Sequence, residues 1–231
     1  MLTTNGSLIG DYFDQIASSP ISGVNISLDS LKPDLFRSIT RKGSLDDVIK
    51  GINMLSGRTQ IPIKINMVLM KGVNDMEVPD LIAFAHENNA QLRLIEFMPL
   101  DDSVWKGDIF LPATEILYRL PEPDSWMKLD NSKDHSAGPA KYYQNSATGQ
   151  KIGIIEAVSH HFCDTCNRLR ITATGILRPC LFSEEGIDLR PALLAGNTDE
   201  VRTLILDAAL IKPRSCKIVE AGKTRMSRVG G

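Results

Sequence analysis

Three of the four cysteines lie close together in the sequence, at a spacing that suits metal chemistry. Cys163 and Cys166 form a C-x2-C pair, and Cys180 follows after 13 intervening residues. A C-x2-C loop presents two thiolates on the same side of a tight turn. A hairpin after that loop would bring the third thiolate back beside them, so the pattern predicts three sulfurs that converge on one point.

Three kinds of chemistry are compatible with this grouping. A structural zinc site needs four closed ligands, and His160, His161 or Cys216 could supply the fourth. A disulfide is disfavoured, because nothing in the sequence indicates secretion and a reducing compartment keeps thiols reduced. An iron–sulfur cluster held by only three cysteines would leave one iron open to bind a further ligand.

Two arginines follow the C-x2-C pair directly, at positions 168 and 170. Alternate residues of a strand project to the same face, so the guanidinium groups of Arg168 and Arg170 would lie side by side next to the metal. Guanidinium groups match phosphate oxygens in geometry, which favours a polyanion such as a triphosphate as the ligand. The alternative is that both are ordinary surface arginines on an exposed hairpin.

The composition is that of a globular protein. Of the 231 residues, 42% are hydrophobic and 23% are charged. The 26 basic and 28 acidic residues give a net charge of −2, which does not favour a nucleic-acid surface. We see no signal-peptide pattern, and no apolar run approaches the roughly 20 residues of a membrane span. We therefore expect a cytoplasmic protein with no membrane or nucleic-acid partner.

The first half of the chain alternates between strand and helix patterns. Short apolar runs predict strands over residues 24–28, 61–70 and 91–98. Helical spacing of apolar residues predicts helices over 8–16, 45–55 and 76–87, the second of them capped by Ser44. This alternation predicts an α/β fold with a parallel sheet or a piece of a βα barrel.

The second half has a different character. Residues 100–150 are predicted to be rich in loops, with one helix over 113–119 that begins after Pro112. Further on, a strand is predicted over 151–157 and a helix over 198–210. Residues 168–174 and 176–180, joined at Gly175, predict the β-hairpin that carries the third cysteine.

At this hairpin the sequence resembles the GTP 3′,8-cyclases of molybdenum cofactor biosynthesis, a family of radical S-adenosylmethionine enzymes. The resemblance rests on FCDTCNRLRITATG and CLF and, in the family's order, on LTTNG, VNISLDSL, IKINMVLMKGVND, LRLIEFMPL, GPAKYY and the terminal GG. It implies an incomplete (β/α) barrel of the radical SAM type, a partial TIM barrel, over residues 1–100. It also implies a C-terminal iron–sulfur cluster domain that binds GTP over residues 101–231.

The resemblance also implies the chemistry of the family. One [4Fe-4S] cluster binds S-adenosylmethionine and cleaves it to a deoxyadenosyl radical, which takes a hydrogen atom from the ribose of GTP. The ribose radical then attacks the guanine ring to give 3′,8-cyclo-GTP, while a second [4Fe-4S] cluster holds GTP through its open iron. An electron donor and the next enzyme of the pathway, cyclic pyranopterin monophosphate synthase, are implied partners, and a homodimer is a further expectation.

Individual residues take their expected roles from the positions of the family that they match. The ligands of the second cluster are matched by Cys163, Cys166 and Cys180. The GTP contacts are matched by Thr3, Lys64, Arg168, Leu169 and Arg170. The S-adenosylmethionine contacts are matched by Ser27 and Met98. A double glycine that reaches into the active site is matched by Gly230 and Gly231.

Simpler roles stay open for several of these residues. Met98, which follows Phe97, could be an ordinary core residue. Lys64 could form an ion pair with Glu96, and Arg93 is a weaker candidate of the same kind as Lys64. The terminal glycines could be a frayed end.

The sequence departs from the family in one major respect. The radical-generating cluster needs a C-x3-C-x2-C motif, and no cysteine precedes Cys163. The glycine-rich loop that binds the methionyl end of S-adenosylmethionine is also missing. We therefore expect a truncated enzyme that is inactive alone, with its radical-generating residues unknown. The alternatives are a degenerate protein, half of a split enzyme, a GTP- and cluster-binding fragment without activity, or a structural zinc domain.

Overall fold

The computed structural model describes residues 1–99, 107–130, 138–183 and 185–213. By their internal contacts the residues form two compact units, one of residues 1–97 with 108–160 and one of residues 98–107 with 161–231. Much of the predicted second domain therefore packs with the first. The functional division into a barrel part over 1–100 and a cluster domain over 101–231 stays a prediction.

The first unit is built on a mixed sheet, which has seven strands within the described residues. They are β1 (Leu2–Thr4), β2 (Val24–Ser27), β3 (Ile63–Leu69), β4 (Ala90–Glu96), β5 (Trp126–Lys128), β6 (Lys141–Asn145) and β7 (Lys151–Ile155). Their order is β1-β2-β3-β4-β7-β6-β5. The first four strands and β7 are parallel to one another, whereas β6 pairs antiparallel with both β7 and β5. This parallel sheet with its helices confirms the predicted α/β class and the incomplete barrel.

Strand β3 shows how the sequence divides this sheet into two faces. Its residues are alternately buried and half-buried, as the alternation of apolar and polar side chains predicts. Ile65 and Met67 are fully buried in the hydrophobic core. Lys64 and Asn66 project to the opposite face, which we call the polar face of the sheet. That face is where the sequence analysis places its candidate ligands.

Five helices of the first unit follow the sequence patterns to different degrees. They are α1 (Phe13–Ser18), α2 (Pro33–Thr40), α3 (Leu45–Arg58), α4 (Val78–Glu87) and α5 (Ala113–Tyr118). The predicted cap of α3 is present, because Ser44 Oγ accepts a hydrogen bond from the Asp47 amide at 3.3 Å. Helix α1 begins later than the predicted residue 8. The stretch before it forms turns and contains Gly10, a residue that disfavours helix.

Residues 100–150, predicted to be rich in loops, also contain β5 and β6, two strands that the sequence patterns did not indicate. These two strands add to the sheet beside β7, with β6 and β7 joined as a hairpin. The turn is held by Asn145, whose Oδ1 accepts hydrogen bonds from the amides of Ala147 and Thr148, both at 2.9 Å. Gly149 takes the left-handed backbone conformation that the turn requires, with φ of 71°.

The second unit contains the cysteine hairpin. Its antiparallel strands are β8 (Arg170–Ile171), β9 (Ile176–Arg178) and β10 (Ile187–Asp188), in the order β10-β9-β8, and its helices are α6 (Arg190–Leu194) and α7 (Thr198–Leu210). The predicted hairpin is confirmed with shorter strands. The turn residue Gly175 has φ of 78° and lies against Arg190, which leaves no room for a side chain there. The apolar cluster of this unit centres on Leu177, Leu189 and Ala208.

Candidate functional site

Strand register brings two predicted GTP contacts together on the polar face of the first unit. Thr3 pairs with Asn25, and Asn25 pairs with Lys64, so the three residues form one row across β1, β2 and β3. A second row, two residues further along the strands, contains the predicted S-adenosylmethionine contact Ser27 together with Asn66. The predicted residues of this unit therefore occupy adjacent rows of one face.

A hydrogen-bond network determines which side-chain groups of these rows donate and which accept. Arg93, which is almost fully buried, donates from Nε to Asn66 Oδ1 at 2.8 Å and from Nη2 to Asn25 Oδ1 at 2.7 Å. Because the oxygen of Asn25 is taken by the guanidinium group, its amide NH2 group faces Thr3 and donates to Thr3 Oγ1 at 3.1 Å. Thr3 is therefore an acceptor toward Asn25, and its own hydroxyl proton can be donated to a ligand.

Thr3 and Arg93 were predicted from the sequence as candidate site residues, but the two asparagines between them were not. Asn25 is buried, and Asn66 lies next to Arg93 in the register of β3 and β4. The alternation of β3 placed Asn66 on the polar face. No sequence pattern, however, indicated that these amides join residues of four strands into one network.

A cavity of about 340 Å³ opens at the carboxyl ends of β1 and β2. Its lining includes Asn5 and Ser7 from the loop after β1, and Ser27 and Asp29 from the end of β2. Parallel sheets build ligand sites at this end of their strands. The cavity is therefore the place in the first unit where Ser27 could contact a small molecule. Met98, the other predicted S-adenosylmethionine contact, belongs to the second unit, where it is half-buried.

The carboxyl group of Asp29 is a titratable group in the lining of this cavity. Burial raises the pKa of its carboxyl group to about 6, although the Asp29 carboxylate accepts a hydrogen bond from the Val68 amide at 2.7 Å. The folded chain therefore binds a proton at Asp29 more readily than the unfolded chain does. The stability contributed by this protonated form is fully present below about pH 4 and is lost as the pH rises through 6.

We expect this linkage to be measurable by chemical denaturation. From pH 4 to pH 6, Asp29 should lower the free energy of unfolding by on the order of 2–3 kcal/mol. The variant Asp29→Asn, which cannot ionise, should lack this part of the pH dependence, whereas the exposed control Asp80→Asn should keep it. Equal pH profiles for Asp29→Asn and the wild type would contradict the burial argument.

Glu96 lies at the end of β4. An ion pair with Lys64 was considered for it, but its hydrogen bonds give it a different role. Its side chain is fully buried and accepts hydrogen bonds from three backbone amides, Ala113 at 2.7 Å, Val158 at 2.8 Å and Ser159 at 2.9 Å. The Ser159 hydroxyl donates to it as well. Glu96 thus anchors the start of α5 and the chain after β7, a role that no sequence pattern indicated.

In the second unit, the three cysteines lie at the base of the hairpin. A single 3₁₀ turn, Cys163–Thr165, forms the C-x2-C loop, and the Cys166 amide donates to the Cys163 carbonyl at 3.1 Å. Cys180 lies two residues after the end of β9, and all three cysteines are half-buried. The predicted turn and hairpin thus bring these residues to one end of the unit.

The arginines of the hairpin connect its two arms electrostatically. The pKa of Arg170 is lowered, first by burial and then by the charge of Arg168, while the thiols of Cys166 and Cys180 act in the opposite direction. The guanidinium group of Arg170 therefore interacts electrostatically with one cysteine on each arm of the hairpin. This burial argues against the alternative that Arg170 is an ordinary surface arginine.

Other residues of the hairpin complete its cationic end. Arg168 is exposed, and its guanidinium carbon lies 5.7 Å from the centre of the Phe162 ring. Arg178 pairs with Arg170 across the hairpin, and within the described residues its buried Nε has no hydrogen-bond partner. Leu169 packs its side chain against the apolar cluster of the unit. Arg178 was not predicted as a site residue, although the register of the hairpin places it opposite Arg170.

Three cysteine thiolates are the kind of donor set that an iron–sulfur cluster uses. Among the residues that the structure describes, no three Cys, His, Asp or Glu side chains are grouped so that they could hold a metal ion. The predicted convergence of three sulfurs on one point is therefore not observed. The thiolates of a four-iron cluster each bind a different iron and surround the cluster, so three thiolates on a turn and a hairpin suit such a group with one iron left open.

The remaining candidates for a fourth ligand are placed only in part. His160 belongs to the first unit, where its Nδ1 lies 3.0 Å from Glu156 Oε2, and His161 is exposed. Cys216, Gly230 and Gly231 lie outside the described residues. Across the described ranges, none of the helices has the length and apolar character that crossing a bilayer would require.

Comparison with known proteins gives a matching family model for each of the two parts of the chain. The family model of the Radical SAM superfamily matches residues 1–85, and that of Molybdenum Cofactor Synthesis C matches residues 90–218. A solved radical SAM methyltransferase from Sphaerobacter thermophilus is 22% identical with a TM-score of 0.41, over 51% of this chain and 35% of that one. This structural likeness is too low to inform the fold.

Curated relatives match over most of the chain. A GTP 3′,8-cyclase of Thermodesulfovibrio yellowstonii is 36% identical over 100% of this chain and 71% of its own length. Those of Nitrobacter winogradskyi and Bradyrhizobium diazoefficiens are each 39% identical over 92% of this chain, and the match covers 62% and 61% of their lengths. This chain thus spans about two thirds of the length of these relatives. It belongs to the GTP 3′,8-cyclase family of molybdenum cofactor biosynthesis, within the radical S-adenosylmethionine superfamily.

Proposed function

We propose that this chain is the GTP-binding part of a GTP 3′,8-cyclase, which converts GTP to 3′,8-cyclo-GTP in the first step of molybdenum cofactor biosynthesis. The observation that carries the proposal is the position of Arg170, which is partly buried beside Arg168 and interacts with the thiols of Cys166 and Cys180. Burial and the neighbouring cation both disfavour the charge of Arg170. A bound polyanion would relieve both penalties, and a triphosphate has the matching geometry.

The superfamily in general uses an iron–sulfur cluster and S-adenosylmethionine, and the proposal assigns residues to them. Cys163, Cys166 and Cys180 would hold a [4Fe-4S] cluster, which when bound supplies one iron without a protein ligand for GTP. Arg168 and Arg170 would bind the phosphates beside it. Each of these residues lies at the cysteine end of the hairpin, which supports the assignment.

Within the first unit, residues with proposed ligand contacts lie on its polar face. Thr3 can donate its hydroxyl proton to GTP because Asn25 already donates to its oxygen, and Lys64 adds a cation in the same row. Ser27 would contact S-adenosylmethionine at the cavity that it lines. The family resemblance alone supports the proposed roles of Met98, Leu169 and the terminal glycines.

The activity of the isolated chain would stop at binding. Radical generation needs the C-x3-C-x2-C cluster motif, which this sequence does not contain, so we expect 231 residues alone to bind GTP without turnover. The electron donor, cyclic pyranopterin monophosphate synthase as the next enzyme, and a second copy of the chain are partners that follow from the resemblance. Thiolate cluster ligands suit a reducing compartment, which supports the cytoplasm as the location.

Metal analysis after anaerobic reconstitution with iron and sulfide tests this proposal. We expect about four irons and four sulfides per chain, as a [4Fe-4S] cluster requires. About one zinc and no sulfide would contradict the proposal and would instead indicate a structural zinc domain completed by His160, His161 or Cys216. Zinc should be measured in the same samples, so that either outcome is positive evidence.

A further inference from the structure

The hairpin that carries the cysteines loses its regular strand pairing before it reaches them. The paired residues nearest the cysteines are Arg170 on β8 and Arg178 on β9. The next residue on the second arm is Pro179, which has no amide hydrogen to donate across a ladder. The separation between the two arms at the cysteine end therefore depends on something other than backbone pairing.

A single side chain takes over this role. Lys212 Nζ donates to the Arg168 carbonyl at 2.6 Å and to the Pro179 carbonyl at 2.8 Å. Arg168 lies two residues after Cys166, and Pro179 lies directly before Cys180. One ammonium group thus joins both arms of the hairpin next to their cysteines. Hydrogen bonds from a charged donor are stronger than those between neutral groups.

Helix α7 determines where this ammonium group lies. Leu204 and Ala208 are four residues apart and share one face of α7, and Lys212 follows the last helical residue, Leu210, by two positions. Ala208 is fully buried in the apolar cluster around Leu177, and Leu204 packs against the same cluster. These apolar contacts hold the helix on the hairpin, so the Lys212 side chain just beyond the helix reaches both arms.

We propose that Lys212 is a positioning residue that sets the separation between Cys166 and Cys180, and with it the stability of a cluster bound by the three cysteines. The link between the two arms stands on the hydrogen bonds alone. The effect on the cluster rests on the proposed function. These two parts of the proposal are tested by two separate measurements.

The first measurement is hydrogen–deuterium exchange of the complete chain before reconstitution. Lys212→Met keeps the length of the side chain but removes its donors, so amides of the arms over residues 167–170 and 176–180 should exchange roughly tenfold faster. Lys212→Arg, which keeps a cation with several donors, should restore part of the protection. Arg202→Met removes a cation from an exposed position of the same helix and should behave as the wild type.

The second measurement is the rate at which the reconstituted chain loses iron to a chelator. Lys212→Met should lose iron several-fold faster than the wild type, Lys212→Arg should lie between them, and Arg202→Met should match the wild type. A merely structural role would change the melting temperature without this order of rates. If Lys212→Met fails to fold, Lys212→Gln, which keeps a neutral donor, carries both comparisons.

Each outcome decides one part of the proposal. Unchanged exchange in Lys212→Met would overturn the link between the arms. Faster exchange with an unchanged rate of iron loss would overturn the positioning role. A wild-type chain that takes up no iron would refute the proposed function, and the role of Lys212 toward the cluster with it. The exchange result would still decide whether Lys212 joins the arms.

Discussion

Replacing Arg170 with alanine should weaken the binding of GTP to the reconstituted chain by roughly 10–100-fold, as the loss of charge-assisted hydrogen bonds to phosphate implies. Arg170 is the hairpin cation whose charge is disfavoured both by burial and by Arg168. Removing it takes away a donor that is already desolvated and already in place. Equilibrium dialysis with GTP at fixed salt measures the effect.

Two matched variants distinguish a specific contact from a general loss of charge. Arg190→Ala removes an exposed arginine of the same unit that is paired with Asp188, and it should leave GTP affinity unchanged. Arg170→Lys keeps the charge but loses the planar guanidinium group, so it should restore only a small part of the affinity. Wild-type affinity in Arg170→Ala, with the iron content intact, would contradict the role assigned to this residue.

Replacing Cys180 with serine should abolish stable cluster binding. The two remaining cysteines lie on one short turn, and a hydroxyl group is a much poorer iron ligand than a thiolate at neutral pH. We expect iron to fall from about four per chain to well below one after reconstitution and desalting. Iron and sulfide analysis measures the effect.

The control for Cys180→Ser is Cys216→Ser. Both variants remove one thiol, but only Cys180 is proposed as a cluster ligand. Cys216→Ser should therefore keep the iron content of the wild type. Loss of metal in Cys216→Ser would favour four protein ligands, and full iron in Cys180→Ser would exclude Cys180 from the ligand set.

The parts of the fold that local patterns determine were predictable from the sequence. The alternation in β3 separated Ile65 from Lys64, and Ser44 with the apolar spacing after it indicated α3. The hairpin was predictable because its two arms are adjacent in the sequence and Gly175 marks the turn. In each case the physical cause lies within about one element of the residues that it affects.

The rest depended on contacts between distant segments. Strands β5 and β6 are short, and they are stabilised by the pairing of β6 with β7 and of β5 with β6, which no local pattern shows. The link from Arg93 through Asn25 to Thr3 needs the register of separate strands. Lys212 meets the Arg168 carbonyl 44 residues away, and this contact exists only because α7 packs on the hairpin.

The most direct test of the central claim is Mössbauer spectroscopy of the reconstituted cluster, recorded with and without GTP. If Cys163, Cys166 and Cys180 hold a four-iron cluster with one iron open to GTP, the nucleotide should change the signal of about a quarter of the iron and leave the rest unchanged. A spectrum that GTP does not alter, at concentrations where GTP binding is saturated, would contradict the account.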